Sequence, residues 1–152
     1  MRPAMTITIV PALSYADPNA AVAFLEAAFG FEPGLSVTDS EGRVQHAELT
    51  YGNGRIMLGI ADWADWAKSP KAVSGANTQC VHVEVGDVDK HCARARAAGA
   101  EILAEPTDQF YGHRTYRARD CEGHVWTFAQ PVREVSPAEM EAATGLKVRE
   151  RP

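Results

Sequence analysis

The feature that most constrains this chain is a set of structural landmarks repeated at an interval of 69 to 70 residues. Asp17 and Asp87 each close an apolar, β-branched run and lie 70 apart; Gly30 and Gly99 each end an Ala-rich helical stretch and lie 69 apart; Gly54 and Gly123 each sit in a hairpin turn, again 69 apart. Landmarks of different structural meaning that keep nearly one offset are what an internal duplication leaves behind. The chain is therefore expected to fold as two copies of one supersecondary unit.

The content of the unit follows from local patterns. Residues 6–15, "TITIVPALSY", are β-branched enough for a strand, and residues 18–29 open with Pro and place Val22, Leu25 and Phe29 on one helical face. Gly30 stops that helix. Residues 43–60, "RVQHAELTYGNGRIMLGI", predict a hairpin, because Gly52-Asn53-Gly54 supplies the positive φ angles of a tight turn. After a mixed connector, residues 61–78, the same order returns: "QCVHVEVGDVD" alternates as a strand, "KHCARARAAGA" is a helix ending at Gly99, and residues 111–129 form a second hairpin. This divides the chain into a single domain over residues 1–135, with modules at about 6–60 and 79–130, and a helical extension over 136–152. In that extension Ser136 is the expected N-cap, Pro137 the first residue, Glu139 the partner in a capping box and Gly145 the stop.

Composition limits the partners. Of the 152 residues, 45% are hydrophobic and 23% charged, an ordinary globular balance. A net charge of -5 disfavours nucleic acid and anionic membrane surfaces, which need clustered Lys and Arg. No run approaches the roughly 18 apolar residues of a membrane span, and the N-terminus lacks the apolar core and cleavage site of a secretion signal. Cys80, Cys92 and Cys121 form no Cys-x-x-Cys pair and are expected to be reduced thiols, which places the protein in the cytoplasm.

The opening "YADPNAAVAFLEAAFGFEP" and the ending "FYGHRTYRARDCEGHVWTFA" resemble the vicinal oxygen chelate superfamily, which holds glyoxalase I, the bleomycin-resistance proteins and the extradiol dioxygenases. The resemblance covers residues 6–130, with Cys121 standing where the family usually has Pro. It implies an α+β fold, in which two βαβββ modules form a curled, half-open sheet around a cavity, and a homodimer. It also implies four metal positions, two per module, which carry over to Val10, Leu58, Cys80 and Thr127. An aliphatic side chain donates no lone pair and a neutral Thr hydroxyl is a weak donor, so no metal or other cofactor is expected.

Side chains two apart on a strand share a face, so Cys80, His82 and Glu84 are expected to point into the cavity. Val81, Val83 and Val85 then face a helix, as do Trp126 and Phe128. Cys80, His82 and Glu84 are all competent metal donors, but neighbours on one strand stand about 6.5 Å apart and make awkward partners for one ion. If Asn53-Gly54 is the hairpin turn, Leu49 faces Leu58 and both point into the cavity, leaving His46 and Glu48 on the other side. His113 and His124 flank turns and His91 lies on the second helix, so all three are expected at the surface. Trp63 and Trp66 are positioned either to stack on a flat ligand at the cavity mouth or to bury against a sheet edge or a partner subunit. Tyr111 and Arg114 either orient a polar group of a ligand or bond within the fold. Absence of a Gly-rich phosphate loop and of a Ser nucleophile elbow leaves hydride and phosphoryl chemistry without support.

Together these residues suggest a small-molecule binding protein similar to the bleomycin-resistance branch. The expected cavity is lined by Ile56, Leu58, Cys80, His82, Glu84 and Thr127, with Trp63 and Trp66 over it. The alternative is a divalent-metal-dependent lyase, isomerase or dioxygenase of the same superfamily with a rearranged ligand set.

Overall fold

The computed structural model describes residues 7–152; the stretch 1–6, including Thr6 at the start of the expected first strand, lies outside the described residues. The first unit comprises β1 (Ala12–Tyr15), α1 (Pro18–Phe24), a π-helical turn (Leu25–Phe29), β2 (Glu32–Thr38), β3 (Val44–Tyr51) and β4 (Gly54–Ile60). The second comprises β5 (Val81–Glu84), α2 (Val88–Ala97), β6 (Glu101–Asp108), β7 (His113–Arg119) and β8 (Val125–Pro131). A 3-10 turn (Pro70–Val73) lies in the connector, and α3 (Pro137–Thr144) follows β8. Each unit makes one four-stranded mixed sheet, in the orders β1-β4-β3-β2 and β5-β8-β7-β6. β1 runs parallel to β4 and β5 parallel to β8; the other pairs are antiparallel. The fold is thus α+β with no closed barrel, and among the described residues no helix is long and apolar enough to cross a membrane.

Local chemistry explains most of the elements. The side chains of Asp17 and Asp87, the two landmarks 70 apart, both cap a helix, accepting from Ala20 N and Lys90 N at 3.1 Å. The edge strands β2 and β6 carry no alternation and were not visible as strands: each holds a proline, Pro33 or Pro106, beside a shift in register. An edge strand tolerates Pro because one row of its N–H groups pairs with nothing. Gly30, with φ of 79°, ends the π-turn, and a Cβ there would lie 3.0 Å from Arg94 Nη1. That guanidinium reaches across from α2 to bond the carbonyls of Ala27 and Glu26, both at 2.9 Å, and so satisfies helix-end acceptors of the other unit.

The core lies between the sheets and the helices. Leu13, Tyr15, Ala47, Leu49, Ile56 and Leu58 cover the inner side of the first sheet; Tyr116, Ala118, Trp126 and Phe128 cover that of the second. Phe29 joins them, with its ring 5.5 Å from Trp126 and 4.7 Å from Phe128. His91, expected in solvent, is 8% exposed. It lies on the buried stripe of α2 with Val88, Cys92 and Ala95, at helical spacing. Its Nε2 donates to the Phe29 carbonyl at 2.9 Å, which leaves Nδ1 to accept from the Tyr116 hydroxyl. Burial holds its pKa below the ordinary value, despite the Phe29 bond, and the Arg94 charge acts in the same direction as burial.

The turn Asp120–His124 clamps the two units together. Asp120 Oδ2 accepts from the Tyr15 hydroxyl at 2.6 Å and from Trp126 Nε1 at 3.0 Å, while its Oδ1 takes the backbone N–H groups of Glu122 and His124. Glu122 accepts from Ala16 N at 2.7 Å, Asp17 N at 2.8 Å and the Ser69 hydroxyl. His124, also expected at the surface, packs against Tyr15 with the rings tilted by 57° and their centroids 4.6 Å apart, and its Nε2 donates to the Ser14 carbonyl at 2.8 Å. Burial, and then the neighbouring Asp120 carboxylate, raise the Tyr15 phenol well above its usual pKa.

Replacing Glu122 by Ala strands three donors in a buried site and is expected to lower unfolding stability by roughly 3 kcal/mol, with Glu122→Gln costing less; urea denaturation measures both. For His91 the folded-state pKa lies below the unfolded one, so the unfolded chain takes up the proton first. The stability that neutral His91 contributes is complete above its ordinary value of 6.5 and is lost as pH falls below it. Thermal unfolding followed from about pH 7 to about pH 5 should show this decline, and His91→Gln should flatten it.

Candidate functional site

Each sheet has one face under the helices and one open face, and strand pairing assigns the side chains. On the second sheet, His82 pairs in register with Thr127 and Glu84 with Ala129. The Thr127 hydroxyl lies 3.3 Å from Cys80 Sγ and accepts from Arg117 Nε at 3.1 Å, so Cys80, Thr127 and Arg117 form one bonded group. His82, Glu84, Cys80 and Arg117 are exposed, whereas Thr127 is buried beneath them. The structure therefore brings Cys80, His82, Glu84 and Thr127 onto one face, as the alternation predicts.

On the first sheet the expected facing is reversed. Leu58 is fully buried and Ile56 is 3% exposed, both on the helix side with Leu13. The open face carries Ala12, Ser14, His46, Glu48, Met57 and Gly59, with His46 opposite Gly59 and Glu48 opposite Met57. The cause is one extra residue in the second hairpin. Ala118 lies 69 residues after Leu49, yet their partners Trp126 and Ile56 lie 70 apart. The residue equivalent to Thr127 is thus Met57, one position before Leu58. The first hairpin turns over Gly52-Asn53, with Tyr51 opposite Gly54, and not over Asn53-Gly54 as expected.

His46 and Glu48 were missed for the same reason; His46 Nε2 stands 3.8 Å from Glu48 Oε1. Beside this face Trp63 and Trp66 meet edge to face, their centroids 4.8 Å apart, and remain 64% and 74% exposed. They wall a groove of about 350 Å³ whose floor includes Ala12, Ser14, Met57 and Gly59. A further pocket, about 380 Å³, lies between the two sheets and involves Trp66, Pro70, Val81 and His124.

Tyr111 and Arg114 do not join this face. Arg114 shares its side of β7 with Tyr116 and Ala118, and it pairs with Asp89 of α2 and Asp108 of β6, both at 3.1 Å. The Arg114 guanidinium holds the Asp89 carboxyl below its usual range. Tyr111 lies in the β6–β7 turn with its ring 5.1 Å from Phe110 and 5.4 Å from His113. His113, expected at the surface, is half-buried, and its Nδ1 has no partner among the described residues.

With the register corrected, the four positions at which the resemblance places metal ligands are Val10, Met57, Cys80 and Thr127. They offer one thioether, one thiol and one hydroxyl, and the hydroxyl already faces a guanidinium. Among the described residues no group of three or more His, Cys, Asp or Glu side chains is arranged to hold a metal ion.

Two sheets of the order β1-β4-β3-β2, each with a helix on one side and an open face on the other, define a paired βαβββ fold, and comparison with known proteins agrees. The description "Glyoxalase/Bleomycin resistance protein/Dioxygenase superfamily" matches residues 8–128, and the chain belongs to that superfamily. It is 32% identical over 145 residues to an uncharacterized protein of Mycobacterium tuberculosis, covering 91% of this chain and 85% of that one. Among solved structures it is similar to TioX from Micromonospora sp. ML1, with 34% identity, a TM-score of 0.68, and coverage of 84% of this chain and 100% of TioX. TnmS3, an antibiotic binding protein from Streptomyces sp. CB03234, shares the fold at 22% identity and a TM-score of 0.61, covering 84% of this chain and 99% of that one.

Proposed function

We propose that the protein binds a flat, aromatic organic molecule on the open face of its first sheet, in the groove walled by Trp63 and Trp66, and acts by sequestration with no bond made or broken. The observation that carries this reading is the pair of exposed indoles over a groove with a low floor. Two large rings left in water are stabilised by covering them, and Ala12, Ser14 and Gly59 leave depth for a planar body to lie beneath. His46, Glu48 and Met57 supply polar and polarizable contacts along its edge. TnmS3, which has the same fold, is an antibiotic binding protein, which supports a small organic molecule as the ligand class here.

Binding without metal is part of the proposal. A divalent ion at Val10, Met57, Cys80 and Thr127 would find neither carboxylate nor imidazole and would sit beside the Arg117 charge. A homodimer in the cytoplasm completes the reading. Leu35 and Val37 on the edge strand β2 are 58% and 49% exposed, and α3 buries no residue on its own chain, so both offer surface to a second copy. The three cysteines are free thiols, as a reducing compartment keeps them.

Replacing Trp63 and Trp66 together by Ala is expected to weaken affinity for an aromatic ligand, found by fluorescence screening, by more than about tenfold. Unchanged affinity would remove both rings from the site. Calorimetric titration with Ni, Mn, Fe(II) and Zn is expected to show no stoichiometric binding; an ion bound one to one and lost on changing Cys80 or His82 would replace sequestration by metal-assisted chemistry.

A further inference from the structure

A cleft of about 410 Å³ lies at the opposite end of the space between the sheets and shares no lining residue with the tryptophan groove. Its apolar wall is made by Ile9, Phe31 and Tyr51, the two rings 5.6 Å apart. Its charged wall is made by Arg55 from β4 and by Glu84 from β5. Arg55 Nε is buried and has no hydrogen-bond partner among the described residues. No ion pair among those residues involves either Arg55 or Glu84.

Arg119 Nε is likewise buried without a partner, but Arg119 pairs with Glu101 through Nη1, whereas Arg55 meets no carboxylate among the described residues. Arg114, Arg96 and Arg119 meet carboxylates, Arg94 meets helix-end carbonyls and Arg117 meets Thr127. A guanidinium carries five donors in a planar fork that matches a carboxylate, and sheltering part of it from water without a partner is unfavourable until something accepts from it. Glu84 lines the same cleft and has no ion pair among the described residues, so the cleft presents one positive and one negative group that are not paired with each other there. A singly charged ligand would satisfy one group and leave the other facing a like charge or nothing.

We propose that this cleft is a second ligand site, for a zwitterion of the α-amino-acid class with a large apolar side chain. The carboxylate docks on the Arg55 fork, the ammonium on Glu84, and the side chain lies against Phe31, Tyr51 and Ile9. The site goes beyond the tryptophan reading and does not depend on it.

The test uses the full-length protein and three probes: L-phenylalanine, N-acetyl-L-phenylalanine, which keeps only the carboxylate, and L-phenylalaninamide, which keeps only the ammonium. Calorimetry or ligand-observed NMR should show saturable binding of L-phenylalanine, with both masked probes at least about tenfold weaker. Arg55→Gln should weaken L-phenylalanine by a similar factor without lowering the unfolding midpoint, because Arg55 has no ion pair, and its Nε no hydrogen bond, among the described residues. Glu84→Gln should abolish the preference for L-phenylalanine over its N-acetyl form. Replacing Trp63 and Trp66 by Ala should leave all three affinities as they were. The proposal is overturned by equal affinities for the three probes, by the absence of saturable binding of any of them, or by an unchanged affinity in Arg55→Gln. A loss of L-phenylalanine binding in the tryptophan variant would also overturn it, by merging the cleft with the groove. Failure of the groove reading alone would instead leave L-phenylalanine binding intact.

Discussion

The structure depends on two buried carboxylates in one turn. Asp120 and Glu122 sit in the β7–β8 hairpin of the second unit, and the donors they accept from are spread over both units and the connector. Charged acceptors out of water need several donors, and the junction between β1 and α1 has backbone N–H groups that the helix cannot satisfy. Each side therefore resolves a problem the other has. Because Ser69 also bonds Glu122, and Ala61 N donates to the Tyr15 carbonyl at 2.8 Å, the clamp holds both ends of the connector segment that carries Trp63 and Trp66. The geometry of the aromatic groove is thus set by a turn in the other unit.

The two units keep the same apolar side and differ on the open one. Under the helices both sheets are aliphatic and aromatic, as packing requires. On the open faces the first sheet has a low, small-residue floor flanked by indoles, while the second has the bonded group of Cys80, Thr127 and Arg117. Where metal-dependent relatives are expected to gather ligands from both units, this chain offers an aliphatic residue, a thioether, a thiol and a hydroxyl that accepts from a guanidinium.

Much of the scaffold was legible in the amino-acid order. The offset between Asp17 and Asp87 marked the ends of the first strand of each unit, the alternation around His82 marked its facing, and Trp126 and Phe128 fell on the packed side as the strand period required. The candidate site was only half legible. One extra residue in a turn moves every later side chain to the other face of a strand, because the period is two. That is why Leu58 is core and Met57 faces the groove. His91 shows a different limit: its stripe with Val88, Cys92 and Ala95 was visible, but a histidine becomes part of a core only when partners such as Phe29 and Tyr116 arrive from distant segments.

What the sequence by itself determined is the repeated unit and its helix starts and stops, since these rest on local geometry and on residue identity. What only the tertiary structure decided is which face each residue of the first sheet presents, the conversion of Asp120, Glu122 and His124 from surface turn residues into a clamp, the pairing of Arg114 with α2, and the isolation of Arg55 in a cleft. Those outcomes depend on which segments meet in space, and no local pattern decides that.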